Sequence, residues 1–208
     1  MIDLTKTATT SVLLAALHDP GNQTVWKAMD ARYRPIVYGC ARRLGLSAED
    51  AADVAQQTLA DFVRDYRAGK YERGKGRLSS WVMAIARHRV IDVQRARARR
   101  QEWRGASALE NLVEEHPDEE TGPLTQIWEA EHERAIFNQA MTELTQDTKT
   151  SRNVLRVFQL YVLGGVAAKV VAHKCDLSVA EVYRVKNRLT RRLRQIVARL
   201  NEVYAEDG

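Results

Sequence analysis

The stretch from Arg77 to Arg100, RLSSWVMAIARHRVIDVQRARARR, most constrains the fold, because it combines an apolar stripe with a dense run of arginines. Apolar residues recur at helical spacing at Leu78, Trp81, Val82, Ile85, Ala86 and Val93. Guanidinium groups stay charged and present a planar fork of donors that suits phosphates. The pattern predicts a helix that packs by its apolar side and offers a basic side to a polyanion, with a ligand-free solvated face as the alternative. Arg89 falls within the apolar stripe of an ideal helix, so we expect it to pair with Asp92.

Composition favours an all-α fold. Alanine, leucine and valine are plentiful, Phe is found only 3 times, and no strand-like alternation is evident in the 208 residues. Cys40 and Cys175 are the two cysteines, and we expect both to be buried free thiols rather than metal ligands. The chain lacks a signal peptide pattern and an apolar run of about 20 residues, which predicts a cytoplasmic protein without membrane insertion. We expect no metal, no cofactor and no catalytic group.

After a short amphipathic helix predicted at Ser11–Leu17, two longer helices are predicted ahead of the basic one. The first covers Thr24–Leu44, where Pro35 is expected to kink or split it. The second begins after the N-cap Ser47 and continues to Tyr66. Its buried face is predicted at Ala48, Ala52, Ala55, Leu59, Phe62 and Tyr66, and its polar face at Asp50, Asp53, Gln57, Asp61 and Arg64.

The loop Arg67–Gly76, RAGKYERGKG, combines three glycines, four basic residues and one tyrosine. Such a loop can follow the backbone of a single nucleic-acid strand while its exposed ring stacks on a base. Many surface loops without a ligand have the same composition, so the residues alone leave both interpretations open.

The last helix opens with a sharp start signal, since Ser178 and Glu181 have the spacing of a capping box. Seven basic residues and no acidic residue lie from Arg184 to Arg199. A short helix at Val166–His173 and a tight turn precede it. A capped basic helix after such a turn is typical of a DNA-reading helix-turn-helix.

An acidic segment separates these two basic parts. Nine acidic residues and no Lys or Arg lie between Gly105 and Glu133, within a net charge of +5. We therefore predict three parts: a first helical domain at 1–104, an acidic flexible linker at 105–130 and a second helical domain at 131–208.

The order of these parts resembles the sigma-70 factors of the extracytoplasmic-function type, over roughly Leu14–Leu200. The front half is similar to sigma region 2, and the matching residues are Tyr33-Arg34-Pro35, Asp50-Ala51-Ala52-Asp53, Gln56-Gln57-Thr58, Trp81, Ile85-Ala86-Arg87, Asp92 and Arg95. The back half is similar to region 4, and the matching residues are Val171-Ala172, Leu177-Ser178-Val179, Val182-Tyr183 and Arg188. The opening LLAALHDPGNQTVW and the run Val182–Lys186 are similar to planctomycete-type members.

The resemblance implies a fold of two small helical domains, sigma region 2 and a helix-turn-helix region 4, and a role for each part. Core RNA polymerase would be bound by Asp50, Asp53, Gln56 and Gln57. The minus-ten element would be opened and held by Lys70, Tyr71, Lys75, Arg77, Arg87, His88 and Arg95. The minus-thirty-five element would be read by Ser178, Glu181, Tyr183, Arg184, Asn187 and Arg188. Besides core polymerase and promoter DNA, an anti-sigma factor or other regulatory partner is expected.

Some positions depart from the family pattern. His88 stands where Asn is usual, and Cys175-Asp176 replaces the usual Leu-Gly of the turn. Asp tolerates a left-handed backbone better than most residues, so the turn is expected to be kept. Glu181 could accept a hydrogen bond from a cytosine amino group, but its capping-box spacing favours a structural role.

A free-standing helix-turn-helix regulator is the alternative function. Such a protein would bind its site without polymerase, usually as a dimer on a palindrome. A sigma factor would need core polymerase and would read two separated, asymmetric elements.

Overall fold

The computed structural model describes residues 16–17, 19, 22–101, 122–146 and 150–204, and the regular elements in these ranges are all helical. The α-helices whose bounds lie within the described residues are α1 (Gln23–Arg43), α2 (Ala48–Arg67), α3 (Leu78–Gln101), α4 (Pro123–Gln146), α5 (Arg152–Phe158), α6 (Ala168–Cys175) and α7 (Val179–Tyr204). A 3₁₀ turn, Arg73–Lys75, precedes α3, and a π-helical segment, Gln159–Leu163, continues α5. The predicted all-α fold is confirmed. In the part of the chain that is described, no helix is long and apolar enough to cross a membrane.

The chain divides into two compact units, Met1–Ala135 with Tyr204–Gly208 and Ile136–Val203. The division falls within α4. Residues 123–130, which were predicted as part of a flexible linker, belong to this helix. Burial of Leu124 and Trp128 stabilises the helical segment, and Pro123 occupies the first helical position, which suits proline. Residues 105–121, with six of the nine acids, lie outside the described residues, as does most of the helix predicted at Ser11–Leu17.

Helix α1 runs without a break through Pro35, so the predicted split at this residue does not occur. Proline in a helix interior removes one hydrogen bond and costs about 3 kcal/mol or more. Pro35 is exposed, whereas Tyr33, Ile36 and Val37 beside it are almost completely buried. Burial of those three side chains offsets the cost and keeps the helix continuous.

Helix α2 begins as predicted, with the Ser47 hydroxyl accepting a hydrogen bond from the Asp50 backbone N–H at 3.1 Å. Its buried face differs from the prediction, because Ala48 and Ala52 are exposed and Asp61 is buried. The helix packs against both α1 and α3, so it buries a wider arc than one apolar stripe. The first core includes Val54, Ala55, Leu59 and Phe62 of α2, Val25, Met29, Ile36 and Val37 of α1, and Leu78, Val82, Ala86 and Val90 of α3.

In the second unit, α6 and α7 are joined by the turn at residues 176–178. Asp176 has the left-handed backbone expected of it, with φ 52° and ψ 52°. Helix α6 lies two residues later than predicted and ends at Cys175, which is buried and free like Cys40. The core of this unit contains Leu144, Val157, Phe158, Val171, Ala172, Cys175, Val182, Val185 and Leu189. The assignment of this arrangement as a DNA-binding motif stays a prediction.

Candidate nucleic-acid interface

Two of the arginines on α3 form ion pairs with carboxylates of α2. Arg89 donates to Asp61 of α2 from Nε at 2.5 Å and also from its Nη2, and Arg97 forms an ion pair with Asp50 at the start of α2. The predicted pair between Arg89 and Asp92 is wrong. Asp61 is 7% exposed and faces the Arg89 side of α3, whereas Asp92 is exposed to solvent. A guanidinium in the packed stripe therefore pairs across the helix interface rather than along its own helix.

These pairs fix the rotation of α3 about its axis. A further contact comes from Gln94, whose Nε2 donates to the Leu44 carbonyl at 3.0 Å. With the paired arginines turned toward α2, the opposite side of α3 and the residue just before it present an exposed line, which we call the outer face of α3: Arg77, His88, Arg95 and Arg99. The exposed Asp92 lies on the same line, and Arg87 is half-buried and interacts within the chain. The basic surface of α3 is therefore narrower than the arginine count predicts.

The loop before α3 holds Tyr71 in a stack of aromatic rings. Its ring centroid lies 6.0 Å from that of Tyr66 and 5.3 Å from that of Trp81, at interplanar angles of 29° and 26°. Its hydroxyl donates to the Gly76 carbonyl at 3.2 Å. The expectation of an exposed ring is wrong, because the rings of Trp81 and Tyr66 pack against Tyr71 and leave it half-buried.

The two lysines of this loop make surface ion pairs. Lys70 Nζ lies 3.0 Å from Asp65, and Lys75 Nζ lies 2.8 Å from Glu72. Hydrogen bonds from Arg64 and then from Lys70 lower the pKa of the Asp65 carboxyl. Exposed pairs of this kind contribute roughly 0–1 kcal/mol, so either lysine can exchange its carboxylate for a phosphate at little cost.

The predicted polymerase-binding residues separate into two groups. Asp53, Gln56 and Gln57 are exposed on α2, whereas Asp50 accepts hydrogen bonds from the Ser47 hydroxyl at 2.6 Å and from Arg97. Gln56 also borders a groove of about 580 Å³ between α1 and α2, whose apolar lining comes from Trp26, Met29, Leu59, Ala60, Phe62 and Val63. Sequence reasoning missed the groove, because helical spacing assigned Leu59 and Phe62 to a closed core.

The start of α7 has the predicted capping box. The Ser178 N–H and hydroxyl each donate to Glu181 Oε2 at 2.7 Å, and the Glu181 N–H donates to the Ser178 hydroxyl at 3.2 Å. The bond from the Ser178 N–H is the largest cause of the lowered pKa of the Glu181 carboxyl. Both side chains are therefore engaged in the structure of the helix start.

The other predicted residues of α7, Tyr183, Arg184, Asn187 and Arg188, are all exposed. Tyr183 meets Tyr161 of the π-helical segment edge to face, with ring centroids 5.7 Å apart. Nothing in the sequence indicated this contact of Tyr161. No group of three or more His, Cys, Asp or Glu side chains in the described ranges could hold a metal ion.

Comparison with known protein families gives a match within the first unit. Residues 29–103, which begin within α1 and include α2 and α3, match the family described as Sigma-70 region 2. No curated protein matches the chain. Residues 29–103 are therefore similar to a sigma-70 region 2 domain, and this similarity supports a sigma-70 type of role in RNA polymerase binding and promoter recognition.

Proposed function

We propose that this chain is a sigma factor that binds core RNA polymerase and directs promoter-specific transcription initiation. The observation that carries the proposal is the arrangement of the first unit. A polar exposed face on α2 and a basic exposed face on α3 are held in one orientation by the ion pairs of Asp61 and Asp50. The match to Sigma-70 region 2 covers these same helices.

We assign polymerase binding to Asp53, Gln56 and Gln57. They are exposed, and Gln56 borders the groove between α1 and α2. An apolar groove beside convergent polar groups is a common form of protein interface. Asp50 contributes indirectly, because its carboxylate already pairs with Arg97.

We assign contact with the minus-ten element to the outer face of α3 and to the preceding loop, with Arg87 beside them. His88, Arg95 and Arg99 would meet phosphates or bases along the strand, and Lys70 and Lys75 would add charge at the loop. Tyr71 is already held by its contacts with Tyr66 and Trp81, so an unpaired base of the non-template strand can pack against the part of this ring cluster that stays exposed without ordering a free ring.

We assign contact with the minus-thirty-five element to α7. Its residues near the capped start, Tyr183, Arg184, Asn187 and Arg188, are exposed, and a DNA-reading helix that enters the major groove by its N-terminal end would bring such residues to the bases. Ser178 and Glu181 shape this end through the capping box. An extracytoplasmic-function type and a restraining anti-sigma partner are part of the same proposal and rest on the resemblance of the sequence.

The test is co-purification with core polymerase, followed by transcription from a promoter library in vitro. Replacing Asp53, Gln56 and Gln57 together by Arg adds four positive charges to α2. We expect this variant to lose polymerase binding and promoter-directed transcription while its helicity and melting stay unchanged.

A matched control adds the same charge elsewhere in the first unit. Glu129 and Glu133 are exposed on α4, and replacing both by Arg also adds four positive charges. We expect this variant to bind polymerase normally. The sigma-factor assignment is wrong if the wild-type protein directs no transcription with core polymerase but binds a palindromic site alone, which would favour a free-standing regulator.

A further inference from the structure

The segment that precedes the α6–α7 pair has an unusual backbone. Residues Gln159–Leu163 form a π-helical turn at the end of α5, and the Gly164 N–H donates to the Gln159 carbonyl at 2.8 Å. Such turns are rare and occur often at functional sites. The middle residue of this turn is Tyr161, so its contacts indicate what the turn does.

Tyr161 contacts two exposed side chains of α7. Its ring meets that of Tyr183 at 86°, and the two hydroxyls share a hydrogen bond. The Lys186 ammonium lies 5.9 Å from the centroid of the Tyr161 ring. Tyr183 and Lys186 are three residues apart and therefore neighbours on the helix surface. One residue outside α7 thus contacts two adjacent side chains on its exposed side.

The side chain of Tyr161 is held by contacts with the core of the second unit. It is half-buried, whereas Tyr183 is 45% exposed. Loss of solvent and the hydrogen bond with Tyr183 raise the pKa of the Tyr161 hydroxyl, so it stays protonated well above neutral pH. The contact is therefore available throughout the pH range in which transcription is assayed.

We propose that Tyr161 is a positioning residue, which holds Tyr183 and Lys186 in the orientation in which α7 meets promoter DNA. The inference rests on the proposed function of α7. A free tyrosine or lysine side chain samples several rotamers and loses that freedom on binding. Contact with the anchored ring orders both side chains beforehand, so less entropy is lost when DNA binds and one direction of approach to the bases is favoured.

Two substitutions separate the parts of this contact. Tyr161→Phe keeps the ring and removes the hydrogen bond, and Tyr161→Leu removes both the edge-to-face contact and the cation–ring contact. For Tyr161→Leu we expect about threefold to tenfold weaker discrimination at the base position nearest Tyr183, as expected for the loss of about one hydrogen bond. Tyr161→Phe should show a smaller loss at the same position. Gln159→Ala, an exposed residue of the same turn, is the matched control and should leave discrimination unchanged.

The experiment uses holoenzyme assembled from core polymerase and the full chain, and measures transcription from promoters with a randomised minus-thirty-five element. Support requires that Tyr161→Leu changes the ratios between sequences, and that Tyr161→Phe combined with Tyr183→Phe is no worse than either single change. A uniform fall in transcription with unchanged ratios would mean a merely structural role and would overturn the proposal.

Failure of the inference and failure of the proposed function give different results. If wild-type holoenzyme discriminates between sequences and Tyr161→Leu gives the same profile, Tyr161 has no positioning role. If wild-type holoenzyme shows no preference for any minus-thirty-five sequence, the function assigned to α7 is wrong. Should Tyr161→Leu not fold, the two Phe variants still decide, because each removes only one hydroxyl.

Discussion

Replacing Asp61 by Asn tests whether the buried ion pair holds α3 in place. The Asp61 side chain is 10% exposed and pairs with Arg89 by two guanidinium nitrogens and with Arg64 Nη1 at 2.7 Å. The substitution removes the charge and turns one acceptor oxygen into a donor that faces a donor. The Arg89 guanidinium would then lose its partner in a site that is two-thirds buried.

The expected loss of unfolding free energy follows from the exposed fractions of the paired side chains. The Arg64 side chain is 64% exposed, so its pair contributes roughly 0–1 kcal/mol. Breaking a fully buried pair costs about 3–5 kcal/mol, and Arg89 is 33% exposed, so we expect a total loss of about 2–3 kcal/mol. With a urea m-value of about 1–3 kcal/mol/M, the unfolding midpoint should fall by about 1 M or more.

Tryptophan fluorescence is a suitable measurement, because all four tryptophans precede residue 135 and report on the first unit alone. Asp30→Asn is the control. It breaks an ion pair with Arg34 on the surface of α1, where both side chains are more than 40% exposed, and should cost about 0.5 kcal/mol or less. If Asp61→Asn shifts the midpoint no more than this control does, the pair does not hold α3.

Three further predictions concern other contacts of the first unit. In promoter binding by holoenzyme, Arg95→Ala should lower the slope of log binding constant against log salt concentration by about 0.9. Arg97→Ala should leave this slope nearly unchanged, because Arg97 already pairs with Asp50. Equal slopes for the two variants would contradict the division of the α3 arginines into paired and exposed groups. Burial raises the pKa of the Cys40 thiol to about 12, so alkylation by iodoacetamide at pH 8 should be very slow until the protein unfolds, and rapid labelling of folded protein would show an accessible thiolate. Gly39→Ala would place a Cβ 2.5 Å from Glu131 Cδ, and since Arg43 holds that buried carboxylate, urea melts should show a loss of about 1–3 kcal/mol. The double variant with Glu131→Ala should lose less than the sum of the two single changes, and strict additivity would mean that the two groups do not collide.

The sequence alone determined the features that depend on neighbours within about four residues. The N-cap Ser47, the capping box of Ser178 and Glu181, and the left-handed Asp176 lie where local hydrogen bonding and backbone sterics predict them. Helical spacing likewise placed α2, α3 and α7 to within a few residues. The all-α fold and the resemblance to region 2 followed from this level of information.

Only the tertiary structure decided which charged and aromatic side chains meet. Arg89 pairs with Asp61, 28 residues away, rather than with Asp92 on the next turn, and Tyr71 stacks against two other rings instead of facing solvent. The reason is that an ion pair or a ring contact gains most where water is excluded, and burial depends on how helices pack against one another. The periodicity of one helix shows which residues share a face, but it carries no record of what the neighbouring helix places opposite that face.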